Sequence, residues 1–191
     1  MQFFIKPFWA SSLTEYYFDT ETTGLDYDVD EVITIQWQKL DGFTGEPIGE
    51  LNILKRWESS EKEIIESFLP NLKCKPFDFI FVGKNLMFDF CFLSERLKKH
   101  NLGTFDIRCL DKRCVLDLKP LLVLMNKGNF KAYDKVLPKT NPLTNDQIPK
   151  LFREGKGKYP EIVQYVKDEA TDFIRAYQVF KKELPSLTKL L

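Results

Sequence analysis

Histidine is almost absent from this chain, cysteine is scattered, and neither sign of charge prevails. His100 is the one histidine, and Cys74, Cys91, Cys109 and Cys114 form no Cys-x-x-Cys pair, so neither a zinc site nor a disulfide framework is expected. Reduced thiols in a core are the expectation instead. Basic and acidic residues balance at 28 each, which removes an overall positive field as a ground for nucleic-acid binding and leaves a local patch or a metal. No apolar run reaches membrane-spanning length, and the opening Met1–Trp9 lacks the long apolar segment of a signal peptide, so a cytoplasmic protein is expected. Core material is plentiful: 191 residues at 43% hydrophobic and 14% aromatic fit one domain spanning 1–191.

The stretch Tyr16–Leu25 ends an apolar strand in two acids that share a face. Alternation along an extended chain projects Asp19 and Glu21 to one side and Phe18 and Thr20 to the other. Adjacent carboxylates repel, and hard oxygen ligands at the end of a core strand call for Mg²⁺ or Mn²⁺. Thr22, Thr23 and Gly24 then supply hydroxyls, backbone N–H groups and a joint where a substrate backbone could approach. The same residues also fit a polar strand end turning at Gly24.

The elements follow from periodicity. Strands are expected at Glu15–Asp19, Glu31–Leu40 and Glu50–Arg56 as an antiparallel meander. A helix capped by Ser59 or Ser60 should run through Phe68, with Pro70 beyond its end. Phe77–Val82 reads as a buried strand, followed by a helix over Leu86–His100 on the apolar positions Phe88, Phe92, Leu93 and Leu97. A short strand and a leucine-rich segment occupy Phe105–Asn126. Asn129–Thr144 suits a loop, and Lys131, Lys135 and Lys139 in it, with Lys127 just before it, either meet phosphates or are solvated. Together these give an α/β architecture, a mixed sheet of antiparallel meander plus parallel strands with helices against it.

Two further acids stand out. Asp89 opens the helix that leaves the central strand, four residues after Asn85, at the sheet edge where α/β proteins bind ligands; it also suits the helix dipole of that first turn. On the last helix, from Tyr159 to about Lys182, Ile162, Val166, Phe173, Ala176, Tyr177 and Phe180 make one apolar stripe, and Glu169 falls inside it. A carboxylate among core residues is costly unless paired or holding a metal, whereas a slightly miscentred face would take it to solvent. Asp172 lies at the edge of the stripe, Asp168 points away, and Tyr165 is one turn before Glu169.

Asp19-Thr-Glu21-Thr-Thr-Gly-Leu25, then Asn85-Leu-Met-Phe-Asp89 after an apolar strand, then a late helix with Tyr165 one turn before an acid, resembles the DEDD superfamily of 3′-to-5′ exonucleases. These enzymes, among them polymerase proofreading domains and RNase D-like and oligoribonuclease-like proteins, have an RNase H-like fold. The third motif departs from the usual Tyr-x-x-x-Asp or His-x-x-x-x-Asp, reading Tyr165-Val-Lys-Asp-Glu169. The resemblance implies a phosphodiester hydrolase that releases nucleotides from the 3′ end of DNA or RNA with two ions, Mg²⁺ or Mn²⁺, roughly 4 Å apart. By the same resemblance Asp19, Glu21, Asp89 and a late-helix acid, Glu169, Asp172 or Asp168, hold the metals. Tyr165 orients the attacking water, Thr22 and Thr23 contact the terminal nucleotide, Leu25 wedges beside its base, and Asn85 and Phe92 line the pocket. The altered third motif favours an alternative, an RNase H-like nucleic-acid-binding module with weak or no catalysis.

Overall fold

The computed structural model describes residues 14–72, 79–106, 108, 110, 115–131, 136–137 and 139–187. Cys74, Cys109, Cys114, Lys135 and the start of the fourth expected strand, Phe77 and Asp78, lie outside them, as does the N-terminal segment; Cys91 is free. No helix among the described residues is long and apolar enough to cross a membrane.

Three strands, β1 (Thr14–Thr22), β2 (Val32–Leu40) and β3 (Pro47–Lys55), form the expected antiparallel meander. Two more, β4 (Phe79–Gly83) and β5 (Val115–Asp117), add in parallel on the other side of β1, giving the order β3-β2-β1-β4-β5. This is the mixed α/β sheet that the pattern predicts. β1 lies at the centre with both faces covered, and its aromatic residues divide between them. Phe18 joins Ile64, Ile65 and Phe68 of α1 (Glu61–Leu72) and Phe90 and Leu93 of α2 (Leu86–Lys99). Tyr17 packs on the opposite face with Leu122 of α3 (Lys119–Met125) and with Phe173 and Tyr177 of α5 (Tyr159–Leu187). At roughly 25 cal/mol per Å² of apolar area removed from water, these two aromatic layers supply the main drive for holding the helices on the sheet.

Two elements differ from expectation. α1 continues through Pro70 instead of stopping before it, because the proline sits on the exposed face while the buried stripe runs on to Leu72. Between the loop and the last helix lies a short helix, α4 (Ile148–Glu154), whose seven residues and early proline are too brief for a periodic signal. It buries Ile148 and Leu151 against Ile33, Ile162 and Val166 in a third cluster.

A buried ion-pair network joins three elements. Glu61, at the first position of α1, accepts from Val32 N–H at the start of β2 (2.7 Å), from Arg96 Nε of α2 (2.8 Å) and from Arg96 Nη2 (2.5 Å). His100 Nε2 lies 2.6 Å from the same carboxylate. Arg96 and Glu61 are 1% and 3% exposed, so each depends on the other for its charge.

β4 pairs with β1 only as far as Tyr17↔Val82, then turns away at Gly83 into α2. The turn needs a glycine: a Cβ there would stand 2.7 Å from the Phe18 backbone oxygen and 2.5 Å from Leu86 Cδ2. A backbone atom at the centre of the sheet cannot give way cheaply. Gly83→Ala is therefore expected to cost about 1–3 kcal/mol, seen as a lowered Tm in thermal unfolding followed by circular dichroism.

Candidate active site

Past Tyr17, β1 runs on without β4 beside it, and the polar residues of the strand gather in that opening at the carboxyl ends of the parallel strands. Asp19 and Glu21 share the face of Tyr17, the face that α5 covers. Glu169 of α5 comes down onto them, and one carboxylate oxygen from each of the three acids lies within 4.8 Å of the others. Among the described residues this is the one group of three such side chains so close together. The cleft above it is lined by Tyr17, Asp19, Lys84, Tyr165, Glu169 and Phe173, and by Lys139, Asn141 and Asp172. Its cavity volume is about 30 Å³.

Lys84, which the sequence reading passed over, is the basic partner of this cluster. It stands between Gly83 and the first residue of α2, and its Nζ lies 3.0 Å from Glu169 Oε1. Gln36, directly across β2 from Asp19, donates from Nε2 to Asp19 Oδ2 at 3.0 Å. Tyr17, two residues before Asp19 and so on the same face, places its hydroxyl 3.5 Å from that oxygen. The alternation that identifies Asp19 and Glu21 would also have pointed to Tyr17; nothing in the sequence marks Lys84 beyond its place next to Asn85.

Burial and mutual repulsion set the charges. Asp19 is pushed from its ordinary 3.8 up to about 7, by burial first and by Glu169 second, against the pull of Lys84 and Gln36. Glu21 is raised by burial, Glu169 and Asp19. For Glu169 burial acts in the same direction but is outweighed, chiefly by Lys84 and then by the neighbouring Tyr165 hydroxyl, so its carboxyl is held below the ordinary value. Two acids lifted by burial and by the charge of Glu169 are an arrangement that a cation relieves. The donor set fits a hard divalent ion: all the ligands are oxygens, and Glu169 Oε2 is buried with no hydrogen-bond partner.

Asp89 occupies a different position from the other three. The Thr20 N–H, left without a strand partner past the end of β4, donates to Asp89 Oδ1 at 3.1 Å, and Thr20 Oγ1 donates to the same atom at 2.6 Å. Asp89 thus meets β1 through Thr20, the residue that alternation turns to the face opposite Asp19 and Glu21. It is 3% exposed, and burial together with Asp19 raises its pKa.

The remaining expected residues divide. Tyr165 is 1% exposed, burial lifts its phenol far above the ordinary 10, and although it lies beside Glu169 its proton is aimed at Asn145 Oδ1, 2.8 Å away. Such a hydroxyl donates and does not act as a base. Asp172, considered above as a metal ligand, lines the cleft but is spent on the wall: Thr140 N–H donates to Oδ2 at 2.6 Å and Thr140 Oγ1 at 3.0 Å. Asp168 likewise accepts from Asn141 Nδ2 at 2.7 Å. These two acids anchor residues 139–141 over the cleft. Phe92 corrects the expectation that it lines the pocket: it is 0% exposed and packed edge-on against Tyr27, so it offers no free face to a base.

Thr22 donates its hydroxyl to Gly24 O (2.6 Å) and Thr23 to Asp30 Oδ1 (3.0 Å), which uses both within the loop after β1. That loop presents Leu25, 81% exposed. Asn85, in the left-handed region at φ 65°, is held by its N–H to Asp117 Oδ1 (2.8 Å) and by Lys119 Nζ to its side-chain oxygen (2.7 Å).

Comparison with protein-family models and with curated proteins returned no match. Among solved structures, one of exonuclease I, described as suggesting how processivity is achieved, superposes with a TM-score of 0.56 at 13% identity, over 94% of this chain and 43% of that one. A product-bound structure of exonuclease I gives 0.58 at 12% identity, over 94% and 46%. The chain thus spans less than half the length of these neighbours and shares their fold, in agreement with the RNase H-like sheet that the motif resemblance implies.

Proposed function

We propose that residues 1–191 act as one metal-dependent 3′-to-5′ exonuclease domain, a cytoplasmic phosphodiester hydrolase that removes nucleotides from the single-stranded 3′ end of DNA or RNA. The observation that carries this reading is the convergence of Asp19 and Glu21 from β1 with Glu169 from α5 on a cleft at the carboxyl ends of the parallel strands. The exonuclease I fold and the order of the three motifs agree with it.

In this mechanism Asp19, Glu21 and Glu169 would hold Mg²⁺ or Mn²⁺, with Asp89 as the fourth acid, which also keeps the strand end in register through Thr20. Such an ion, when bound, would supply a water of lowered pKa and positive charge against the scissile phosphate. Tyr165, protonated throughout and donating to Asn145, stands beside Glu169 as a wall of the cleft. Leu25, exposed on the loop after β1, is placed to wedge beside the terminal base. Lys139 on the cleft wall meets a phosphate. The cavity has room for about two water-sized species, so the nucleotide sits at its mouth and only the reacting atoms enter.

The test is digestion of 5′-labelled single-stranded DNA and RNA with Mg²⁺ or Mn²⁺. A ladder shortening from the 3′ end, absent in Asp19→Ala, is the expected result. A second reading, a nucleic-acid-binding module without catalysis, rests on the Lys84–Glu169 pair, which already neutralises one ligand. Strands that are bound but left intact under either metal would establish it in place of the exonuclease.

A further inference from the structure

We infer that Lys84 is a positioning residue for the late-helix ligand. It holds one oxygen of Glu169 so that the other is presented to the metal site, and this lets a glutamate stand where the motif resemblance implies an aspartate. The inference rests on the exonuclease reading above and leaves the two ions of that resemblance in place.

The acids of the site share one arrangement. Asp19 Oδ2 accepts from Gln36 Nε2 at 3.0 Å, and Asp89 Oδ1 accepts from Thr20 N–H and Thr20 Oγ1 at 3.1 and 2.6 Å. In each, one oxygen is fixed by a donor from another element. Glu169 follows the pattern: Oε1 accepts from Lys84 Nζ at 3.0 Å, while Oε2 is buried without a hydrogen-bond partner. Donors that orient metal ligands in this way typically matter about 10–100-fold in metal affinity.

Lys84 is built to hold a position. Its backbone is fixed on both sides, by Gly83 packed against the Phe18 carbonyl and by Asn85, whose N–H donates to Asp117 Oδ1 and whose side-chain oxygen accepts from Lys119 Nζ. The Lys84 and Glu169 side chains are 17% and 13% exposed, so neither swings freely in solvent. A glutamate also has one more torsion to fix than an aspartate, and the ammonium on Oε1 fixes it. An aspartate at 169, one carbon shorter, would not meet the ammonium and still present its other oxygen to Asp19 and Glu21.

The experiment is a double-mutant cycle on the full chain: wild type, Glu169→Asp, Lys84→Met and both together. Mn²⁺ affinity is measured by isothermal titration calorimetry and, independently, by the electron paramagnetic resonance signal of free Mn²⁺. Glu169→Asp keeps the charge of the cluster, so the purely electrostatic effect of Lys84 is common to both backgrounds and cancels. With Lys84 present, Glu169→Asp is expected to weaken Mn²⁺ binding by about 10–100-fold. The kcat for a single-stranded oligonucleotide should fall with it, and KM should stay within about twofold. In the Lys84→Met background the same replacement is expected to cost at least about fivefold less, because no ammonium remains to be met. A smaller difference between the backgrounds, in variants whose circular dichroism matches wild type, would overturn the inference while leaving the exonuclease intact. Should Lys84→Met fail to fold, Lys84→Gln, uncharged but polar, takes its place with the same expectation. No Mn²⁺ bound by wild type would remove the metal-dependent reading itself.

Discussion

Replacing Glu61 by glutamine will lower the unfolding free energy by about 3–5 kcal/mol, because it leaves the Arg96 guanidinium, 1% exposed, without its bidentate partner. Glutamine keeps the shape and one acceptor, so Val32 N–H retains its bond and the loss isolates the charge. The half-exposed Glu31, 3.7 Å from Arg96 Nη2, is too distant and too well hydrated to take over. The expected fall in Tm is roughly 6–20 °C for a chain of this size. The pair also shapes the acid limb of stability. Burial alone would raise the Glu61 carboxyl, but Arg96, Val32 N–H and His100 outweigh it and hold it below its ordinary 4.5. A group whose pKa is depressed on folding contributes fully above its unfolded value, near 4.5, and loses that contribution as pH falls through the lower folded value. Wild type should therefore lose stability steeply in that acid window, and Glu61→Gln should lose less there while starting lower. Urea unfolding at a series of pH values measures both; a variant with wild-type midpoints at neutral pH would show that Arg96 is satisfied elsewhere.

The same network shows where sequence reading stops. Glu61 reads as an acid suited to a helix N-terminus, and only the folded chain brings Arg96 and His100 to it from another helix. Local rules carried Asp19 and Glu21, because strand alternation is set by covalent geometry and holds wherever the chain is extended. They also carried Glu169, because a carboxylate inside an apolar stripe demands a reason. Lys84 escaped them: an ammonium on a flexible stem looks the same facing solvent or facing three clustered acids. Asp172 and Asp168 were ambiguous because helical phase locates a residue on the cylinder but not its partner, and the partners, Thr140 and Asn141, come from a loop with no periodicity. Phe92 was placed by motif analogy alone, and the core claimed it. The parallel β4 was legible from its apolar, strand-length run before a helix, whereas the short strand of Phe105–Asn126 falls at Val115–Asp117 and not at the start of that segment, a three-residue run too brief to locate by pattern, and α4 was too short to show any period.

Exchanging Glu169 for glutamine and Asp172 for asparagine separates the two late-helix acids. Glu169→Gln removes the one carboxylate of α5 that joins Asp19 and Glu21, and with it the buried Oε2. Loss of groups that merely orient metal ligands costs about 10–100-fold, so loss of a ligand should cost about 100-fold or more in both Mn²⁺ affinity and cleavage rate. Lys84 makes the loss larger, since its charge then stands against the ion with one fewer acid to offset it. Asp172→Asn acts on the wall. Its Oδ2 accepts from both the N–H and the hydroxyl of Thr140, and a carboxamide oxygen in that place keeps both only as weaker, uncharged bonds, so residues 139–141 loosen without any change in the ligand group. Mn²⁺ affinity should stay within about twofold of wild type, and the KM for a single-stranded oligonucleotide should rise more than kcat falls, because Lys139 is carried on that segment. If instead Asp172→Asn abolishes ion binding and Glu169→Gln spares it, the fourth position of the motif belongs to Asp172, and the Lys84–Glu169 pair is a structural strut beside the site.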